Sequence, residues 1–213
     1  MNELPLPPGL KRVTIIALVL SGMLGFGAAQ GVTALYDPPS PSDVASQLKP
    51  MPGLESQPEL YREALKALAV AQISAFESMR GSRTAILFGL WATSALVFVA
   101  CLRLMKPRGA PREGVRRLLA TTTLITAVLR TLDGAQAAAV ARRAGAAFDR
   151  VLSKSTELPG GWPEGLWANG FAGLSMLMSL VVGGGLLMLS RYYRSDRVRE
   201  VTLQLDGSSP PSP

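Results

Sequence analysis

From Val13 to Tyr36 the chain carries no charged residue. A bilayer's hydrocarbon core, about 30 Å thick, is crossed by about twenty consecutive apolar residues in a helix. An uninterrupted run of this length therefore points to a helix in lipid rather than an element of a soluble core. Two more stretches repeat the pattern, 84–104 and 171–190, and a third, 118–140, begins in the same way. The composition agrees, with 48% hydrophobic residues, 17% charged and a mean hydropathy of +0.25, where soluble domains carry about 25% charged residues.

The stretch 118–140 is marginal by itself. Its apolar or hydroxylic part, Leu118 to Leu129, makes only about 18 Å of helix at about 1.5 Å per residue. Arg130, Asp133 and Gln136 follow. An Arg or Asp at the centre of a span costs about 2.5–3.5 kcal/mol, and each Leu, Ile or Val returns only about 0.3–0.6. Topology decides the matter. Cytoplasmic loops are enriched in Lys and Arg. Arg103, Lys106, Arg108, Arg112, Arg116 and Arg117 surround the turn after the second span, and Arg191, Arg194, Arg197 and Arg199 follow the last one. Both ends belong inside, so one more crossing besides the last span must lie between them, and 118–140 is the remaining candidate.

With four crossings, and with Arg103 counted on the inner side, Lys and Arg divide as twelve inside and nine outside, with Arg130 in the span. Asp and Glu divide as five inside and nine outside, with Asp133 in the span. The whole formal charge of +7 then lies on one side of the membrane. That is the signature of orientation by positive charge, and it argues against nucleic acid as the partner. The inner arginines also suit anionic lipid headgroups. Arg80 and Arg83 are the local discord, sitting at the outer end of the second span.

The expected organisation is a cytoplasmic terminus over 1–12, transmembrane spans over 13–36, 84–104, 118–140 and 171–190, a basic turn over 105–117 and a cytoplasmic tail over 191–213. Residues 37–83 and 141–170 lie outside. Gly27-Ala28-Ala29 is an acceptable signal-peptide cleavage site; cleaved or retained, the first span leaves the following segment outside. Prolines 38, 39, 41, 50 and 52 exclude a regular helix there. Ser56 with Glu59 forms a capping-box signal, and Pro58 suits a first helical turn. Tyr61, Ala64, Leu65, Leu68, Phe76 and Met79 then share one face of an amphipathic helix. Gly81 is the one breaker before the second span, so a single long helix is plausible.

The third span continues without a breaker to about Ser155. Ala137, Val140, Ala141, Ala144, Phe148, Val151 and Leu152 share one face, a small-residue stripe open to close approach by a partner helix. The fold class expected is an all-α integral membrane four-helix bundle, with two helices extended outside the membrane as an antiparallel pair. The tail DGSSPPSP reads as disordered.

Histidine is absent and Cys101 is the single cysteine. Imidazole-dependent triads, an intrachain disulfide and Cys-rich zinc sites are thereby excluded. The glycines form no phosphate loop. The expectation is a protein that is not an enzyme and has no cofactor or metal.

The intramembrane polar candidates are Arg130, Asp133 and Gln136, whose spacing of three lets Arg and Asp pair on one helix face. Ionisable residues in a span are a functional hypothesis by default. The competing readings are a snorkelling Arg130 with interfacial neighbours and a structural buried pair. Trp162, Trp167, Tyr192 and Tyr193 are expected as interfacial anchors. Ser21 with Gly25, Gly27 with Gly31, and Ser175, Ser179 and Gly183 form small-residue faces for close packing within the chain or between copies. Gly183-Gly184-Gly185 could bend the last helix. Thr121, Thr122, Thr123 and Thr126 should bond back to their own helix, and Cys101 should fill a span.

Arginine-dominated charge with frequent Ala, Gly and Pro suggests a GC-rich bacterial source, hence an inner-membrane location. The expected function is an interaction, sensing or structural subunit that meets the lipid bilayer and a protein partner or a second copy of itself. The alternative is a small transporter or channel subunit using the third span.

Overall fold

The computed structural model describes residues 6–37, 58–106, 111–154, 163 and 165–207. These residues are almost entirely helical, and no strand occurs among them. The described residues form six helices: α1 (Pro8–Tyr36), α2 (Pro58–Ser78), α3 (Arg80–Met105), α4 (Arg112–Leu152), α5 (Leu166–Arg194) and α6 (Asp196–Leu205).

Four of them, α1, α3, α4 and α5, are long and apolar enough to cross a membrane. The least apolar is α4, whose best window has a mean hydropathy of 1.2 against 1.8 to 2.3 for the others. That order reproduces the marginal sum for 118–140. In each helix at most a third of the most apolar window is buried within the protein. Ile16, Met23, Phe26, Val181 and Met188 are between 60% and 75% exposed. Side chains of this kind facing water would forfeit about 1.5–3 kcal/mol each, so a lipid environment accounts for their outward placement.

Helix α1 starts at Pro8, so Lys11 and Arg12 lie inside its first turns rather than ahead of it. The break between α2 and α3 falls at Met79, not at Gly81, which lies within α3. At Met79 the amide bonds three residues back, to Phe76 O at 3.2 Å, and the regular spacing resumes with Arg83 N to Met79 O at 2.9 Å. A slipped bond, not glycine flexibility, separates the two helices. Ser56 and the five prolines of 38–52 lie outside the described residues. Helix α4 holds 41 residues, about 62 Å at 1.5 Å per residue. The third span and the second amphipathic helix are thus one element. Helix α5 passes through Gly183-Gly184-Gly185 without interruption.

The chain divides into two compact units. The first comprises Met1–Gln30, Ile86–Thr131 and Val181–Pro213. Its core joins Leu10 and Ala17 of α1, Val97 and Leu104 of α3, Leu119 and Ala127 of α4, Leu186 and Tyr193 of α5, and Val198 of α6. Cys101 is fully buried there, as a filler. Gly25 faces Ser94 of α3, and Gly183 faces Thr131 of α4. Gly25 and Gly183 therefore pack within the chain, whereas a Cβ at Gly27 would meet nothing within 4 Å. Thr121, Thr122, Thr123 and Thr126 each donate to a carbonyl four residues back, at 2.6–3.1 Å.

Helix α6 has no counterpart in the sequence reading. Its Val198 and Thr202 are buried. The Asp206 carboxylate just beyond it accepts the backbone N–H groups of Arg112 at 2.9 Å and Glu113 at 3.0 Å. These are orphan donors at the α4 N-terminus. Glu113 accepts from Arg116 at 2.7 Å, Arg117 at 2.8 Å and Thr202 at 2.9 Å. The hydrogen bond from Arg116 holds the Glu113 carboxyl far below its ordinary range, at about 2, against the opposing effect of burial; Arg117 and Thr202 lower it further. Arg116 also donates to the Tyr193 carbonyl. The end of α5, α6 and the start of α4 are joined in one polar node.

The second unit comprises Gly31–Ala85 and Leu132–Leu180. Tyr61, Ala64 and Leu65 of α2 pack on Phe148, Val151 and Leu152 of α4. Tyr61 meets Phe148 edge-on at 6.3 Å, Ser78 bonds Arg143, and Ser82 bonds Gln136. Rising numbers on one side meet falling numbers on the other, so the two segments run antiparallel.

Candidate functional site

The second unit gathers the polar residues of the α4 midsection. Asp133 is buried, and its carboxylate lies 3.5 Å from the Arg83 guanidinium of α3. The Arg83 side chain is itself only 12% exposed, and its guanidinium carbon stands 5.1 Å from the Phe76 ring centroid. A cation over an aromatic face is attracted to the ring quadrupole. Asp133 therefore meets a cation from another helix, one the spacing along its own helix does not indicate. Gln136 donates from Nε2 to Ser82 Oγ at 3.2 Å. Its Oε1 is buried without a hydrogen-bond partner among the described residues. Arg130 lies half-buried on α4 and belongs to the first unit, whereas Asp133 and Gln136 belong to the second.

The two arginines that disagreed with the charge pattern are both accounted for. Arg83 serves Asp133. Arg80 donates to the Leu35 carbonyl at 2.9 Å and stands 5.4 Å from the Tyr36 ring centroid. The clue was available: a buried-span acid on one helix and unexplained cations at the end of its neighbour.

Beside this ion pair is an open groove of about 400 Å³. Leu68 and Phe76 of α2, Ala137 and Ala141 of α4, and Leu174 of α5 line it, with Arg83 at its polar edge. The alanines fall on the small stripe expected for close approach.

Asp149 closes the far side of the unit. It accepts the backbone N–H groups of Trp167 at 3.3 Å and Ala168 at 3.1 Å, capping the start of α5. The cap needs the helices in close approach, and Gly145 permits it: a Cβ there would lie 2.6 Å from the Ala168 backbone. Gly134 faces Ser179 so closely that a Cβ would collide with its hydroxyl.

Of the four expected interfacial aromatics, Trp162 lies outside the described residues. Trp167 packs between Phe148, at 5.8 Å, and Phe171, at 4.9 Å. Its ring N–H is buried without a hydrogen-bond partner among the described residues. Tyr192 is half-buried against the first unit's core. Tyr193 departs from the expectation of an interfacial ring. It is fully buried, and its hydroxyl donates to Thr14 Oγ1 at 3.4 Å. Four elements converge on this position, and a large ring is what fills the space.

Among the described residues no group of three His, Cys, Asp or Glu side chains is placed to hold a metal ion. Comparison with protein families, with curated proteins and with solved structures found no match to the chain.

Proposed function

We propose that this chain is a non-enzymatic, multi-pass subunit of a bacterial inner membrane that binds a protein partner through its second unit. The chain crosses four times as a helical bundle with both termini in the cytoplasm, and the antiparallel pair of α2 and the end of α4 stands outside. The distribution of Lys and Arg supports that orientation. The observation that carries the reading is the apolar groove bounded by Leu68, Phe76, Ala141 and Leu174. An uncovered apolar surface with a polar rim is characteristic of an interaction site. The alanine lining suits an apolar helix of the partner, because small residues let backbones approach closely.

A transport role for the third span is less well supported. Asp133 is engaged by Arg83 and Gln136 by Ser82, which is how structural polar groups near a span are satisfied.

The deciding experiment extracts the native complex in mild detergent, measures its mass and identifies its components. A stable hetero-complex that loses its partner on Ala141→Leu, which fills the groove, is the expected result. A lone homo-oligomer unaffected by Ala141→Leu would end this reading and move weight to transport, with Asp133→Asn as the next variant.

A further inference from the structure

The first unit carries a second groove, of about 410 Å³, between α3 and the start of α4. Leu96, Val99, Ala100, Arg103, Gly114 and Leu118 line it. Leu96, Val99 and Leu118 are 44–48% exposed, so its walls face outward. Leu96, Val99 and Arg103 recur at helical spacing along one face of α3. That face is apolar until the last turn, where it ends in a cation.

Arg103 is exposed, and among the described residues it has no hydrogen-bonding or ionic partner. Its neighbours differ. Arg116 and Arg117 are committed to Glu113, and the α4 N-terminus is occupied by Asp206. Lys106, also exposed, lies one turn beyond Arg103.

From this we infer that the groove binds an anionic phospholipid. One acyl chain lies along Leu96, Val99 and Leu118, and the phosphate sits on the Arg103 guanidinium. A guanidinium offers a phosphate two parallel donors. A zwitterionic headgroup brings an ammonium that Arg103 and Lys106 repel; an anionic one does not, and basic residues at the membrane surface select it. The groove accepts a chain because Gly114 adds no side chain: a Cβ there would meet only Pro111 Cγ, at an ordinary 3.7 Å. The inference rests on α3 being a membrane span.

The test is native mass spectrometry of the full chain in non-ionic detergent, titrated with phosphatidylglycerol and phosphatidylcholine of matched acyl chains. One phosphatidylglycerol should be retained about fivefold more strongly than phosphatidylcholine. Arg103→Ala should remove that preference. Gly114→Leu should reduce retention of both lipids, and Arg142→Ala, in the second unit, should change neither. Equal retention of the two lipids by the unsubstituted chain, or an unchanged preference in Arg103→Ala, overturns the proposal. Release of the chain from membranes by alkaline carbonate overturns the span reading instead, and the lipid site with it.

Discussion

Removing the charge of Asp133 leaves the Arg83 guanidinium partly buried beside Phe76 with its acid neutralised. Asp133→Asn should therefore destabilise the chain by about 1–3 kcal/mol, read as a lower melting temperature in detergent. Replacing both partners by leucine should recover much of the loss, because an apolar pair leaves no stranded charge. If Asp133→Asn melts like the unsubstituted chain, the ion pair contributes little and Asp133 is open to another role. Glycines separate in the same way. At Gly145 a side chain would run into the Ala168 backbone, whereas at Gly184 nothing stands within 4 Å. Gly145→Val should cost about 1–3 kcal/mol by overpacking, and Gly184→Ala should be neutral; equal melting of the two variants would contradict the close approach of α4 to α5.

At the scale of elements, two helices begin under carboxylates supplied from elsewhere: α4 under Asp206 and α5 under Asp149. Each replaces a local N-cap, a contribution of about 1 kcal/mol. Asp206→Ala should speed hydrogen exchange at Arg112 and Glu113 and throughout α6, while leaving the start of α5 protected. Exchange confined to the two capped amides would mean that α6 is held by Val198 and Thr202 alone. Glu113 adds a pH dependence to the same node. Its carboxyl is depressed from 4.5 to about 2 by Arg116. A depressed carboxyl stabilises the folded state fully above its unfolded value and loses that contribution as pH falls through the folded one. Docking of α6 should hold down to about pH 4.5 and weaken between there and about pH 2; in Glu113→Gln that acid-linked loss should vanish.

For the whole molecule, the orientation argument predicts a labelling pattern. In a Cys101→Ser background, Lys154→Cys should react with an impermeant thiol reagent applied from outside, and Glu200→Cys only after the membrane is opened. The reverse pattern would invert the topology. The sequence by itself determined the helical content, the four apolar helices, the absence of a breaker between 118 and 152, the back-bonded threonines and the apolar faces of α2 and α4. All of these follow from hydropathy and from the 3.6-residue period, which are properties of neighbours along the chain. That α4 begins at Arg112, inside the stretch read as a turn, came from the structure. Only the tertiary structure decided that Asp133 meets Arg83, that Tyr193 is a core ring rather than an interfacial one, that Asp206 and Asp149 cap distant helices, and that α6 docks at all. Those outcomes depend on which groups packing brings within hydrogen-bonding reach. Residues beyond the reach of a single helical turn carry no local signal of it, other than a charge that disagrees with its surroundings.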